Sequence, residues 1–327
     1  MTYSVGGLIQ ATDYNGFVST TVGANINATW NTTYGQTALS TVSAGGTVTA
    51  TQWATLNNTL SSQASHQGTS ITARTSPVAG NTIAILSAVN TDITNTYNAR
   101  FSAAASGTQF TGWTGTASQL TKVGDTNTNW TITFTDTITF ANATACTNFF
   151  GAGGYIKTQF SKTSTGNDAD AEWNNLVNTI CGAVFFTSDG SSKVIASTTY
   201  LGTKVIGGTG TPTTLAAATG FNQLVTSTPV IIYKQFDTAY TYTGNYVQVT
   251  VTKTSATVLT FTTEWFSSAR STSGSSRSIS GGTATTGITF GTAPTTVVTY
   301  FPPSTSFLTN TWGTPTVAST VSATPYS

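Results

Sequence analysis

Residues 129–161 read Asn-Trp-Thr-Ile-Thr-Phe-Thr-Asp-Thr-Ile-Thr-Phe-Ala-Asn-Ala-Thr-Ala-Cys-Thr-Asn-Phe-Phe-Gly-Ala-Gly-Gly-Tyr-Ile-Lys-Thr-Gln-Phe-Ser. Trp130, Ile132, Phe134, Ile138 and Phe140 alternate with Thr131, Thr133, Thr135, Thr137 and Thr139. A period of two gives a strand one apolar face and one face of threonines. A polar-to-aromatic step over 141–150 and the glycine cluster Gly151-Ala152-Gly153-Gly154 lead to a second strand pattern, Tyr155 to Phe160. The reading is a founding strand pair joined by a tight glycine turn, the nucleus of a β domain.

Outward from this stretch, the same period marks Ala183 to Thr187, Lys193 to Thr198, Pro229 to Phe236, Tyr246 to Lys253 and Thr257 to Phe266. The last two flank Thr254-Ser255-Ala256 and read as a hairpin. One helix interrupts the strands near 168–181. Asp168, Asp170 and Glu172 lie in its first turns, where carboxylates complement the helix dipole. Trp173, Leu176, Val177 and Ile180 form its buried stripe, and Gly182 ends it.

Before residue 107 the spacing is helical. Tyr14, Val18, Val22, Ile26 and Trp30 recur every four residues behind a Thr12 cap. Thr49 and Gln52 fit a capping box ahead of Trp53, Leu56 and Leu60. A third helix, 84–101, presents Leu86, Val89, Ile93 and Tyr97. Helices this polar must pack on each other or on a partner. The stretches beginning Ile9-Gln10-Ala11-Thr12-Asp13-Tyr14 and Val48-Thr49-Ala50-Thr51-Gln52-Trp53 echo each other, and both are expected to open helices. After residue 266 the chain turns to Ser, Gly, Thr and Pro. Ile288 to Phe301 could add an edge strand before Pro302-Pro303, while Phe307, Leu308 and Trp312 either dock on a neighbour or sit in a solvated tail. The fold class expected is α+β. It has a small N-terminal helical region for docking or oligomerisation (1–106), a mainly antiparallel β-sandwich-like domain with one packed helix (107–266), and a C-terminal extension (267–327).

Charged residues make up 6% of the 327-residue chain and the formal net charge is +1, against about 25% charged residues in an ordinary domain. No field attracts nucleic acid or an anionic membrane. Nothing keeps copies apart either, which suits an assembly subunit. The first residues lack a signal peptide, so synthesis in the cytoplasm is expected, and no apolar run suits membrane insertion. Cys146 and Cys181 read as buried free thiols.

The search for chemistry returns little. His66 is the only histidine and reads as a capping or solvent-facing residue at a helix exit. No Cys-x-x-Cys supplies a metal site and no Gly-x-Ser-x-Gly elbow supports a triad. The carboxylates of Asp168, Asp170 and Glu172 read as helix capping, and Glu264 as exposed. Gly151 to Gly154 and Gly207-Gly208-Thr209-Gly210 lack the phosphate-cradle pattern and read as turns. No catalytic, cofactor or metal site is expected. Trp113, Tyr200, Tyr240, Tyr242 and Trp312 remain as loop aromatics. They read as contacts to protein neighbours, with stacking on a host-surface glycan as the alternative.

Three groups of residues carry a family resemblance: Leu8 to Asn15 with Trp30 and Tyr34-Gly35-Gln36; Val48 to Trp53 with His66-Gln67-Gly68; and Asn129 to Phe134 with Phe149 to Ile156. Together they resemble virion structural proteins of tailed phages of the marine, cyanobacterial type, over residues 5–266. The resemblance implies a non-enzymatic part of a virion, present in several copies among copies of itself and other virion proteins, in the tail or its fibres. A head decoration or neck protein and a glycan-binding adhesin are the alternatives.

Overall fold

The computed structural model describes residues 10–19, 23–76, 78, 86–103, 113–114, 118–119, 123–124, 129–163, 168–189, 192–195, 198–238, 243–268, 288–289 and 294–323. In chain order the helices are α1 (Ala11–Val18), a π-helical turn (Ala28–Thr33), α2 (Ala50–Gln67), α3 (Leu86–Asn98), α4 (Ala143–Gly151) and α5 (Asp168–Asn175), which runs on as a π turn (Leu176–Ile180). A 3₁₀ turn spans Phe221–Gln223. The strands are β1 (Trp113–Thr114), β2 (Ser118–Gln119), β3 (Val123–Gly124), β4 (Trp130–Thr139), β5 (Tyr155–Ser161), β6 (Ala183–Phe186), β7 (Ser192–Ile195), β8 (Thr198–Leu201) and β9 (Thr203–Ile206). They continue as β10 (Thr214–Leu215), β11 (Val230–Phe236), β12 (Tyr246–Lys253), β13 (Val258–Ser267), β14 (Ile288–Thr289), β15 (Thr295–Phe301) and β16 (Thr316–Ala323).

Among the described residues the strands form two six-stranded antiparallel sheets and two short two-stranded ladders, β3–β14 and β7–β8. Sheet one runs β10-β11-β12-β13-β4-β16. Sheet two runs β1-β15-β5-β6-β9, with β2 also paired to β15. The chain is therefore α+β with a two-sheet domain. Alternation decides which side chains meet. Ile132, Phe134, Ile138, Val247, Val249, Leu259, Phe261 and Trp265 of sheet one join Ile156, Phe160, Val184, Phe186, Val298 and Tyr300 of sheet two in one core. Contacts cross the gap directly: Phe186 meets Phe261 edge-to-face at 5.6 Å, and the Trp265 indole N–H donates to the Thr296 hydroxyl at 3.2 Å. Trp173, Leu176, Val177 and Ile180 add to this core, with Trp173 stacked on Trp265 at 5.5 Å.

The founding strands are not a pair. β4 lies in sheet one and β5 in sheet two, and both feed the core between the sheets. The reason is α4, which replaces the expected turn. The Asn142 side chain accepts from the Ala145 backbone N–H at 2.8 Å and caps the helix, and Cys146, Phe149 and Phe150 bury its inner face. Gly151 then passes close to the π turn, where a Cβ would come 2.1 Å from the Thr33 carbonyl oxygen.

The helical region has its own core, with Tyr14, Phe17, Ile26, Leu39, Trp53, Leu56, Leu60, Val89 and Ile93 packed together. The two echoing stretches open α1 and α2 by matching caps. Gln10 N–H donates to the Asp13 carboxylate at 3.1 Å, and Thr49 N–H to the Gln52 side chain at 2.8 Å. Their aromatics, Tyr14 and Trp53, then meet edge-to-face at 5.7 Å. The long helix expected from Thr12 to Trp30 does not persist, and its cap is Gln10. α1 ends at Val18, Gly23 takes φ +106°, and Asn25 caps a new turn through Ala28 N–H at 2.8 Å. Val22 lies outside the described residues.

The expected C-terminal extension belongs to the β domain. β15 is an inner strand of sheet two, between β1 and β5, instead of an edge. Its partner β5 supplies apolar residues of the same parity, so Val298 and Tyr300 are buried against Thr158 and Ile156. Pro302 does follow its last residue. Leu308 and Trp312 are buried in the main core, and β16 pairs with β4 along its whole length. Among the described residues no helix is long and apolar enough to cross a membrane.

Candidate functional site

The outward face of sheet one carries a repeated polar pattern. β4 contributes Thr131, Thr133, Thr135, Thr137 and Thr139. β13 contributes Thr260, Thr262 and Glu264; β12 contributes Gln248, Thr250 and Thr252; and β16 contributes Thr316, Ala318, Thr320 and Ser322. Each is half-buried or exposed. Strand register aligns them into rows. Thr250, Thr262, Thr135 and Thr320 form one, and Thr252, Thr260, Thr137 and Ala318 the next. Neighbours within a row stand about 4.8 Å apart and rows about 6.7 Å apart, the ordinary sheet spacings. A third row carries the charge: Lys234, Gln248, Glu264, Thr133 and Ser322. Beyond it lie Phe236, Tyr246 and Phe266 on adjacent strands. Tyr246 stacks on Phe266 at 4.7 Å, takes the Lys234 ammonium over its ring at 3.5 Å and donates its hydroxyl to Glu264 at 2.5 Å. Burial, then that bond, raise the phenol above its usual range. Glu264 is thus half-buried and engaged.

Under this face lies a charge that the alternation of β4 conceals. Asp136 shares parity with Phe134 and Ile138, points into the core and is 2% exposed. The Ser319 hydroxyl of β16 donates to its Oδ1 at 2.5 Å, and Oδ2 has no partner among the described residues. Burial pushes its carboxyl up to about 6, with the Ser319 bond working the other way.

The motifs singled out in the sequence meet at one junction. His66 lies within α2, not beyond it, and is fully buried. Its Nε2–H donates to the Ala152 carbonyl at 2.8 Å, and its ring meets Tyr34 edge-to-face at 5.2 Å. Gln67 donates to the Tyr34 hydroxyl at 2.7 Å. Gly35 takes φ +69° against Asn148, where a Cβ would fall 2.0 Å from the amide nitrogen. Gln36 and Thr309 exchange two hydrogen bonds, at 2.9 and 2.8 Å. The junction therefore joins the helical region, α4 and the C-terminal segment. These hydrogen bonds hold the three together.

Of the loop aromatics, Trp312 is 2% exposed within the core. Tyr200 is also buried, stacked with Tyr155 at 6.2 Å and near Phe185 at 5.7 Å, with the Lys204 ammonium over its ring. Trp113 opens β1 opposite Tyr300. Tyr240 and Tyr242 lie outside the described residues. Tyr200 and Trp312 thus serve the chain's own packing.

Both cysteines are free and buried, and burial raises each thiol to about 12. At neutral pH they are protonated and poor nucleophiles. Cys181 borders a cavity of about 260 Å³ lined also by Phe160, Val177, Asn178 and Ile206. Among the described residues no cluster of three His, Cys, Asp or Glu is placed to hold a metal. No protein family, curated protein or solved structure matches the chain.

Proposed function

We propose that the chain is a non-enzymatic structural subunit of a tailed-phage virion, present in several copies in the tail or fibre apparatus. The observation that carries this reading is the threonine face of sheet one. Threonine combines a methyl group with a single hydroxyl, so a neighbour can cover it without stripping water from a full charge, which costs far more. Interface cores are depleted in charged residues for the same reason. Two further features support it. The histidine is committed to the junction between the helices and the sandwich, and the thiols are held protonated. A head decoration or neck protein would use the same face and differs in location alone. The glycan-adhesin reading keeps only Trp113, Tyr240 and Tyr242 as platforms, since Tyr200 and Trp312 serve the chain's own packing.

Mass spectrometry of purified particles, with antibody labelling viewed by electron microscopy, tests the proposal. The chain is expected in particles at many copies, with label on the tail. Absence from particles overturns the reading, and label on the head or neck moves it there. A glycan array with intact protein and W113A separates the adhesin, which requires binding that the substitution removes.

A further inference from the structure

Asp136 is a buried titratable group that the assembly reading leaves unused. It lies midway along β4, with Phe261 of β13 on one flank and Ser319 of β16 on the other. The Ser319 hydroxyl donates to Oδ1 at 2.5 Å, whereas buried Oδ2 has no hydrogen-bond partner among the described residues. An ionised carboxylate so poorly bonded is costly to keep from water, so ionisation favours whichever movement lets water reach it. The two flanks resist such a movement unequally. Leu259, Phe261 and Trp265 anchor β13, each fully buried, and β12 pairs along its other side. β16 has no anchor of that kind. Val317, Ser319 and Val321 are half-buried, and Thr316, Ala318, Thr320 and Ser322 are exposed. Beside it lies β2, two residues long. Upstream, Trp312 is buried in the main core, so a release of the strand stops at Gly313, which takes φ +65°.

We propose that Asp136 is a pH-sensitive latch for β16. Protonated, it holds the strand on β4; ionised, it lets β16 lift away while the core between the two sheets stays folded. The device belongs to a single chain and does not depend on the assembly reading. Its sign follows from burial, which pushes the carboxyl up to about 6. In the lifted state the carboxyl meets water and returns to about 3.9. The attached state therefore binds the proton more tightly. Its advantage is complete below about pH 4 and is lost as pH rises through about 6. The surrounding groups leave Asp136 to set this response. β16 and β2 carry no ionisable residue. Glu264 of β13 stands on the outward face, engaged with Tyr246. In the core, Tyr34, Cys146, Cys181, Tyr233 and Tyr300 are all raised by burial and stay neutral near pH 7. Lys162 and Asp237, also buried, lie just past the ends of β5 and β11.

Hydrogen exchange on the intact protein between pH 4.5 and 7.5, corrected for intrinsic amide rates and repeated at low urea concentrations, tests the latch. The β16 amides bonded to β4 are expected to exchange through a local opening that urea barely affects. They should exchange faster than β13 amides, which wait for global unfolding. The β16 opening constant should rise about 25-fold from pH 4.5 to 7.5, the ratio that carboxyl values of about 6 and 3.9 dictate. D136N is expected to abolish the rise. S319A removes the bond that favours the ionised form and is expected to enlarge it. Exchange of β16 in step with β13 at every urea concentration overturns the proposal. So does a local opening constant that is flat with pH, or a rise that survives in D136N. The comparison of β16 with β13 needs only the unaltered protein, so the latch stays open to refutation even with a D136N that does not fold.

Discussion

Replacing Asp136 with asparagine isolates one ionisation in the middle of the core. The folded carboxyl titrates near 6 because burial penalises its charge, against about 3.9 for an unfolded aspartate. The folded state therefore holds its proton more tightly than the unfolded chain. That contribution to stability is fully present below about pH 4 and is lost as pH rises through about 6. A difference of about two units at about 1.4 kcal/mol each gives roughly 3 kcal/mol lost by pH 7.5. Asparagine keeps an oxygen to accept from Ser319 and carries no charge at any pH, so the variant lacks this term. Urea denaturation of both proteins between pH 4.5 and 7.5 measures it, and taking the difference cancels every other titrating group. The parent is expected to lose about 2 kcal/mol relative to D136N across that interval, ending less stable than the variant or level with it. S319A removes the bond that favours the ionised form, so its cost is larger at pH 7.5 than at pH 4.5. Stability curves of parent and D136N that run parallel with pH would refute the reasoning, because Asp136 would then have found a compensating partner or water.

Three further outcomes follow from the packing. Gly35→Ala sets a Cβ into the Asn148 amide at a left-handed backbone position and should cost at least about 2 kcal/mol in urea denaturation, with G35A/N148A recovering the steric part but not the backbone part. Trp312→Ala should cost about 3–5 kcal/mol as a core truncation, whereas a surface platform would move stability by no more than about 0.5 kcal/mol. Neither Cys146 nor Cys181 should react with a disulfide reagent until the protein unfolds, and two thiols per chain should then appear; fast reaction in the native state contradicts their burial.

The legible part of the fold is the part decided by side-chain parity. Strand periodicity located β4, β11 and the β12–β13 hairpin, because a face buried in one core must repeat every second residue. The same parity should have exposed Asp136, which occupies an inward position between Phe134 and Ile138. What misled was chemical type, since an aspartate in a threonine run looks like one more polar residue. Spacing also held a signal against the hairpin of β4 and β5. Residues 140–154 separate them, far more than the two to five of a tight hairpin loop. A nine-residue helix is about 13 Å long, enough to carry the chain between sheets about 10 Å apart. The pairings of β15 with β5 and β16 with β4 had no local signature. A strand such as Thr316 to Ala323 reads as low-complexity polar sequence until β4, far upstream, supplies its partner.

The same distinction bears on where function resides. Tyr34-Gly35-Gln36, His66-Gln67-Gly68 and Phe149 to Gly154 stand out in the sequence because each is constrained by the others. Gly35 yields to Asn148, Gly151 to Thr33, and His66 finds the Ala152 carbonyl. Residues so mutually determined report the fold, and their side chains bond largely to one another. A motif search therefore converges on the junction. The proposed partner surface is what motif reading passes over: repeated threonines whose rows appear only after four strands are set in register. On the proposed reading, a partner would recognise a pattern set by register, with threonine methyl and hydroxyl groups as its chemistry.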